Sequence, residues 1–241
     1  MIGSVIISTK LHFAYDRNQY EALSMKVSKA QAAENRQGIL DAAARLYRER
    51  GLTGVGVADI TRDAGLTHGG LYRHFESKDA LVREACARAF DWSIAPLDGH
   101  TPNTNVADRI KSYLSPQHRD TPGSGCPAAA LAVDAARAGP ELSQVFAEGI
   151  ERNIQRFAQL LADTAPAACA PAGTTDTTDT TDAATTATAA AHRARAMEVL
   201  ATMVGGLVLA RATAAAQPGL SEEILTTLQE QLIRLLDTPG A

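Results

Sequence analysis

Apolar residues in this chain recur three and four positions apart and nowhere alternate in twos over a useful length. That period belongs to helices that bury one face, and it argues against a sheet. Aromatics are only 5% of the 241 residues and alanine is plentiful, which favours helix again. Punctuation divides the chain into nine helices. Ser28 to Gln31 reads as a capping box for a first helix over 29–50, with Ile39, Ala43, Leu46 and Tyr47 as its stripe and Gly51 as its stop. A short helix fits 57–64 and ends at Gly65, with Gly56 as an acceptable cap. Thr67 can cap a third over 68–74, and Ser77 a fourth from Lys78 to about Ile94. Further helices fit 104–115, 126–138, 140–163, 191–216 and 222–237, the last capped by Ser221.

The segment LTHGGLYRHF, residues 66–75, is peculiar. Leu71 and Phe75 stand four apart, as on one face of a helix, yet Gly69 and Gly70 occupy the same turn. Each glycine costs about 1 kcal/mol relative to alanine in a helix interior. A short helix, a glycine turn and a second short helix make a helix-turn-helix, whose second helix enters the major groove of DNA. So short a helix must dock Leu71 and Phe75 onto its neighbours to be stable at all. Its other face is then free, and two residues without side chains let that face sit deep in a groove. His68 and Tyr72 stand one turn apart on it, as do Gly69 and Arg73. Arg73 can bind phosphate or guanine, and Tyr72 and His74 can donate to phosphate oxygens. Lys78 opens the next helix, where anions are favoured. An ordinary surface helix is the plain alternative.

The stretch VADITRDAGLTHGGLYRHFESKDALVREA, with GILDAAARLYRERGL before it, resembles the DNA-binding domain of the TetR family of transcriptional repressors over about residues 36–90. The resemblance implies an N-terminal three-helix helix-turn-helix domain, residues 26–77. It also implies a C-terminal helical ligand-binding and dimerisation domain, residues 78–241. Thr67, Tyr72, His74 and Lys78 would then contact phosphates, and His68, Gly69 and Arg73 would lie at base edges, with Gly70 beside them. Family members usually cap the second helix with Ser or Thr that touches a phosphate. Val55-Gly56-Val57 lacks that side chain, so the role does not carry over. The stretch MVGGLVLARATAAAQPGLSEEIL resembles the family's dimerisation helices, which singles out Val204, Gly205, Val208, Leu228 and Leu232. Two subunits would pair these helices in a four-helix bundle. The implied protein is a cytoplasmic homodimeric repressor of a palindromic operator in double-stranded DNA, released by a small-molecule effector of unknown identity.

Charge agrees with a DNA-reading first third. Residues 26–90 hold 11 basic and 8 acidic side chains, against 10 and 17 over 91–241. Three cysteines are too scattered for a disulfide framework or a metal site. Cys86 reads as packing, and Cys169 falls in a low-complexity Thr/Ala/Asp stretch, 166–190, expected to be a flexible loop. Cys126, just before Pro127, is either a small buried hydrophobe or a redox or electrophile sensor activated by a helix N-terminus. Trp92, Tyr113, Phe146 and Phe157 either line an apolar pocket or pack a core. No phosphate loop, nucleophile elbow or metal-spaced His/Asp/Glu cluster supports an enzyme or a cofactor. No uninterrupted apolar run reaches the roughly 18 residues of a spanning helix, so no membrane partner is expected. Residues 1–25 fit no fold pattern and read as a disordered extension ahead of the first helix.

Overall fold

The computed structural model describes residues 29–94, 105–164 and 178–237. Among them are nine α-helices, two short 3-10 turns and no strand. The N-terminal unit is α1 (Lys29–Arg50), α2 (Val57–Asp63), a recognition helix (His68–Arg73) and α3 (Lys78–Ile94). Then come α4 (Val106–Tyr113), α5 (Pro116–Asp120), a 3-10 turn (Pro122–Ser124), α6 (Pro127–Arg137) and α7 (Pro140–Thr164). The chain closes with α8 (Thr178–Ala214) and α9 (Pro218–Asp237).

Two apolar cores share this framework. The first joins Ile39, Leu46, Tyr47, Ile60, Leu71, Phe75, Leu81 and Phe90 to Cys126, Leu131 and Phe146. The second joins Ile110 and Leu114 to Phe157, Met203, Leu225 and Leu232. Tyr113, Ile150 and Val204 pack against both and mark the seam. Gly149 is what lets α3 and α7 close on each other. A Cβ there would lie 2.4 Å from the ring of Phe90, which meets Phe146 edge-on at 5.1 Å.

Several expectations need correction. Helix α8 begins at Thr178, so residues 178–190 are helical where a loop was expected. The alanines of DAATTATAAAHRARA propagate a helix cheaply from the packed part of α8. Positions 166–177, including Cys169, lie outside the described residues, as do Ser28 and the 1–25 extension. Helix α9 starts at Pro218, a favoured first position, so Ser221 is not its cap. Ser221 is fully buried, donates to Ala210 O at 2.7 Å and accepts from Arg119 Nη1 at 3.1 Å. The Pro-rich stretch after Leu114 falls between the helices expected over 104–115 and 126–138. It forms α5, capped by Ser115, and the turn after it. The span Thr186–Ala214 of α8 also turns out long and apolar enough, by length and composition, to cross a membrane, although only 39% of its most apolar window is buried in the molecule.

Candidate nucleic-acid interface and ligand cavity

Helix α2 ends in a Schellman motif. Gly65 takes φ +69°, Leu66 N donates to Thr61 O at 2.8 Å, and Gly65 N donates to Arg62 O at 3.1 Å. This turn swings the chain into the recognition helix. Gly56 caps α2, its N–H held by Asp59 Oδ2 at 3.0 Å. Ser77 caps α3, its Oγ accepting from Ala80 N at 3.0 Å.

The recognition helix is wound as a 3-10 helix, not an α-helix. Gly70 N donates to Thr67 O and His74 N to Leu71 O, both three residues apart at 2.9 Å. Thr67 has cap geometry, but its side chain makes no capping bond. Two glycines in six residues supply little to hold an α-turn, and so short a helix tightens. The winding changes which residues share an edge. Side chains at i and i+3 eclipse, so Tyr72 stands over Gly69 and Arg73 over Gly70, in place of the i and i+4 pairs expected from sequence.

Leu71 is fully buried and Phe75 nearly so. The Arg36 guanidinium covers the Phe75 ring at 4.6 Å and pairs with Glu84. Thr67, Gly69, Tyr72 and Arg73 are exposed, while Gly70, His74 and Lys78 are half-buried. A Cβ on Gly69 would meet nothing within 4 Å, and one on Gly70 only Thr67 Oγ1 at 3.8 Å. Neither glycine has positive φ. The fold itself thus has no need of glycine at either position. Lys78 Nζ donates to Val55 O at 3.0 Å and so braces the loop before α2, a structural duty that the sequence did not reveal.

A cavity of about 350 Å³ lies at the seam of the two cores. Trp92 of α3, Tyr113 of α4, Phe157 of α7 and Leu200 of α8 form apolar parts of its wall; Phe146 instead belongs to the first core. Sequence reasoning did not single out its polar residues: Arg109, His118 and Asn153. Asn153 is only 4% exposed. Its place was readable in principle, since Leu142, Phe146, Gly149, Asn153 and Phe157 follow the buried stripe of α7. Arg48 likewise falls one turn after the buried Ala44 on α1.

His118 is held neutral. Its Nδ1 meets Tyr113 O at 2.8 Å and its Nε2 accepts from Cys126 N at 3.1 Å. Burial lowers its pKa, with the nearby Arg211 and Arg48 charges adding to the effect. Burial raises the Tyr113 phenol well above its usual range. Arg48 donates to Ala44 O at 3.0 Å and to Gly125 O at 2.8 Å, and lies over the Trp92 ring at 5.2 Å. Burial lowers its pKa to about 10. Arg211 donates to His118 O at 2.7 Å and Arg119 O at 3.1 Å.

Cys126 caps α6 with Pro127 behind it, is 5% exposed, and forms part of the cavity wall. Cys86 is buried in the first core, and burial pushes its thiol up to about 12. Of the expected interface residues, Gly205 and Val208 are exposed and Val204 is half-buried. Leu232 is 3% exposed within the second core, and Leu228 packs inward, 2.5 Å from where a Gly206 Cβ would stand. Leu232 therefore serves the subunit's own interior, while Leu228 is half-buried and only partly turned inward. The outer face of α8 instead presents Met197, Ala201, Gly205, Val208 and Ala212, at helical spacing.

Comparison with known proteins agrees with this anatomy. Residues 39–85 match the family of bacterial regulatory proteins, tetR family. The repressor KstR2 of Mycolicibacterium smegmatis is 40% identical over 63 residues, 26% of this chain and 31% of that protein. The similarity thus spans about a third of that relative's length. The reduced form of E. coli NemR superposes with a TM-score of 0.64 at 19% identity, covering 86% of this chain and 99% of that one. Bacillus subtilis FadR, solved with stearoyl-CoA, gives 0.52 at 14% identity over 85% and 99%. Residues 39–85 are thus similar to the DNA-binding domain of the tetR family of bacterial regulatory proteins, and the fold of the described residues is similar to that of the solved regulators.

Proposed function

We propose that the protein is a homodimeric cytoplasmic repressor that reads a palindromic operator and lets go when a small molecule fills the seam cavity. The observation that carries the reading is the pair of surface glycines that the fold does not need, eclipsed by exposed Tyr72 and Arg73 on a helix anchored by Leu71 and Phe75. Bare backbone at such a place serves something outside the chain, and a groove of duplex DNA fits it. Thr67, His74 and Lys78 complete the phosphate- and base-facing set, and the side chain of His68, expected at a base edge, lies outside the described residues.

Pairing follows from α8. Of six large apolar side chains exposed among the described residues, four, Met197, Val208, Leu209 and Leu220, belong to α8 and the start of α9. With Ala201, Gly205 and Ala212, those on α8 make its outer face apolar along its length, and exposed apolar faces mark interaction sites. A second copy covers it, and this also accounts for the membrane-like hydropathy of Thr186–Ala214. The two recognition helices must then stand about 34–36 Å apart to enter successive major grooves.

Response to a ligand follows from the seam. Trp92 ends α3, whose other end carries the reading head, and Arg48 of α1 grips the cavity wall at Gly125 O. Leu52 N, in the turn after α1, donates to Asp134 Oδ2 at 3.2 Å and ties that turn to α6. A ligand that spreads this wall moves both helices. A swing from 99:1 to 1:99 needs about 5.5 kcal/mol of preference between the two states. Cys126 reads as part of the wall, and Cys126→Ser is expected to leave operator release intact.

Selection from randomised duplexes, followed by fluorescence anisotropy on the winning sequence, tests the reading. The winner should be an inverted repeat. Tyr72→Phe and Arg73→Ala should each weaken binding, by about 1–3 kcal/mol where a base contact is lost, and lower the salt slope by about one where a phosphate contact is lost. No enriched repeat, or unaltered affinity in both variants, refutes the assigned head.

A further inference from the structure

The seam cavity has a chemical character of its own, and the following rests on its reading as the effector site. Among the described residues no carboxylate lines it. The Arg109 guanidinium does. Just behind the wall stand Arg48, bound to Gly125 O, and Arg211, bound to His118 O and Arg119 O. Among the described residues, neither Arg48 nor Arg211 meets a carboxylate. Arg48 is 3% exposed and keeps one buried Nη2 without a hydrogen-bond partner. Arg48 is buried and Arg211 half-buried, and each bonds only backbone carbonyls, with Glu49 and Asp120 acting on them from further off; with no acid in direct contact with either, the cavity side of this cluster favours a bound anion.

Asn153 adds a second, independent pointer. It is 4% exposed, lies in the cavity wall, and has no side-chain hydrogen bond among the described residues. Its amide atoms are not sealed within the protein but open on the cavity, so whatever occupies that space supplies their hydrogen-bond partner. Trp92, Tyr113 and Phe157 give the ligand a flat aromatic body to pack on. At about 350 Å³ the space is at the lower end for ligand pockets and suits a single-ring molecule rather than a long acyl chain on a large carrier.

We propose that the effector is a small aromatic monoanion, a single-ring carboxylic acid in its ionised form. Its ring lies among Trp92, Tyr113 and Phe157, and its carboxylate is directed to Asn153 and Arg109. The Asn153 amide donates to a carboxylate oxygen, and Arg109 supplies charge-assisted donors, the stronger kind of hydrogen bond. His118 stays neutral, because both ring nitrogens are already engaged.

The chain's single tryptophan is Trp92, so its emission, excited at 295 nm, reports on the cavity directly. Four probes differ in one property each: phenylacetate, the neutral phenylacetamide, the cationic phenethylamine and the non-aromatic hexanoate. Phenylacetate should give a saturable change with an affinity at least tenfold above the other three. Asn153→Leu and Arg109→Met should each cost it fivefold or more without altering phenylacetamide binding, and Arg109→Lys should restore part of the loss. Thermal melts by circular dichroism confirm that each variant is folded. Equal or tighter binding of phenylacetamide, phenethylamine or hexanoate overturns the proposal, and so does a flat response to all four at millimolar concentration. Operator binding measured in parallel separates the two readings. A protein that binds its duplex but ignores phenylacetate sinks the ligand class alone. One that binds phenylacetate but no duplex sinks the regulator instead.

Discussion

The chain contains the dipeptide Gly-Gly twice, at 69–70 on the recognition helix and at 205–206 in the middle of α8, and the two pairs do different things. At 206 the missing side chain is demanded from within: a Cβ would stand 2.5 Å from Leu228 Cδ1 and 3.3 Å from Leu114 Cδ2. At 69 and 205 it would meet nothing within 4 Å, and at 70 only a hydroxyl at 3.8 Å. One glycine of the four is explained by the subunit's own packing. The other three leave backbone that the subunit's own packing does not require to be bare. On our reading it meets DNA at 69–70 and a second subunit at 205.

Substitution can break the comparison at each position. Gly206→Val should have the largest effect, because it drives a branched side chain into Leu228 and Leu114. Overpacking of this kind costs about 1–3 kcal/mol, and Gly206→Val belongs at the top of that range in urea denaturation. Gly205→Glu should leave the subunit folded but place two like charges on the twofold face. Sedimentation should show monomers, and operator affinity should fall about a hundredfold, roughly 2.8 kcal/mol. If Gly205→Glu stays dimeric, the outer face of α8 is not the interface. Gly69→Ala separates fold from function most sharply. It removes a glycine from a position with ordinary φ and open space, so the fold should gain about 0.5 kcal/mol. Operator affinity should drop about tenfold because the backbone can no longer approach as closely. A variant that is both more stable and equally tight on DNA removes the case for a bare reading surface.

Much of this was legible in the sequence, for a physical reason. Helices carry their period and their punctuation locally. Hence α1, α2, α3 and α7 can be read from Ile39, Gly65, Ser77 and Phe157 without any tertiary information. The anchors Leu71 and Phe75 could be read in the same way. What escaped was set by contacts distant in sequence. The 3-10 winding that pairs Tyr72 with Gly69 depends on how the recognition helix docks. Leu232 looked like an interface residue because an apolar stripe does not say which partner covers it. The cavity draws Trp92, Arg109, His118 and Asn153 from four segments and shows no motif. Arg48 and Asn153 did leave a faint trace, each a polar residue on an otherwise buried helical stripe.

The smallest predicted effect concerns pH, and it lies on the cavity side of the molecule. In the folded protein His118 receives a hydrogen bond from Cys126 N, and burial lowers its pKa below the ordinary value of 6.5. Folding therefore favours the neutral ring. Above the unfolded pKa both states are neutral and that contribution is fully present. As pH falls below about 6.5 the unfolded chain takes up the proton first, so stability declines until pH has passed the folded pKa. Melting temperatures between pH 7.5 and 5 should fall more for the wild type than for His118→Phe. That variant starts lower, having lost both hydrogen bonds, but cannot titrate at this position. Because Gly125 leaves only 2.5 Å between a would-be Cβ and His118 Nε2, protonation at Nε2 would oppose Cys126 N–H in a space with no room to turn. The cavity wall is then the first part to loosen in acid, so tryptophan emission should begin to change at a higher pH than the helical signal does. Coincident transitions would mean that His118 is only one titrating group among many.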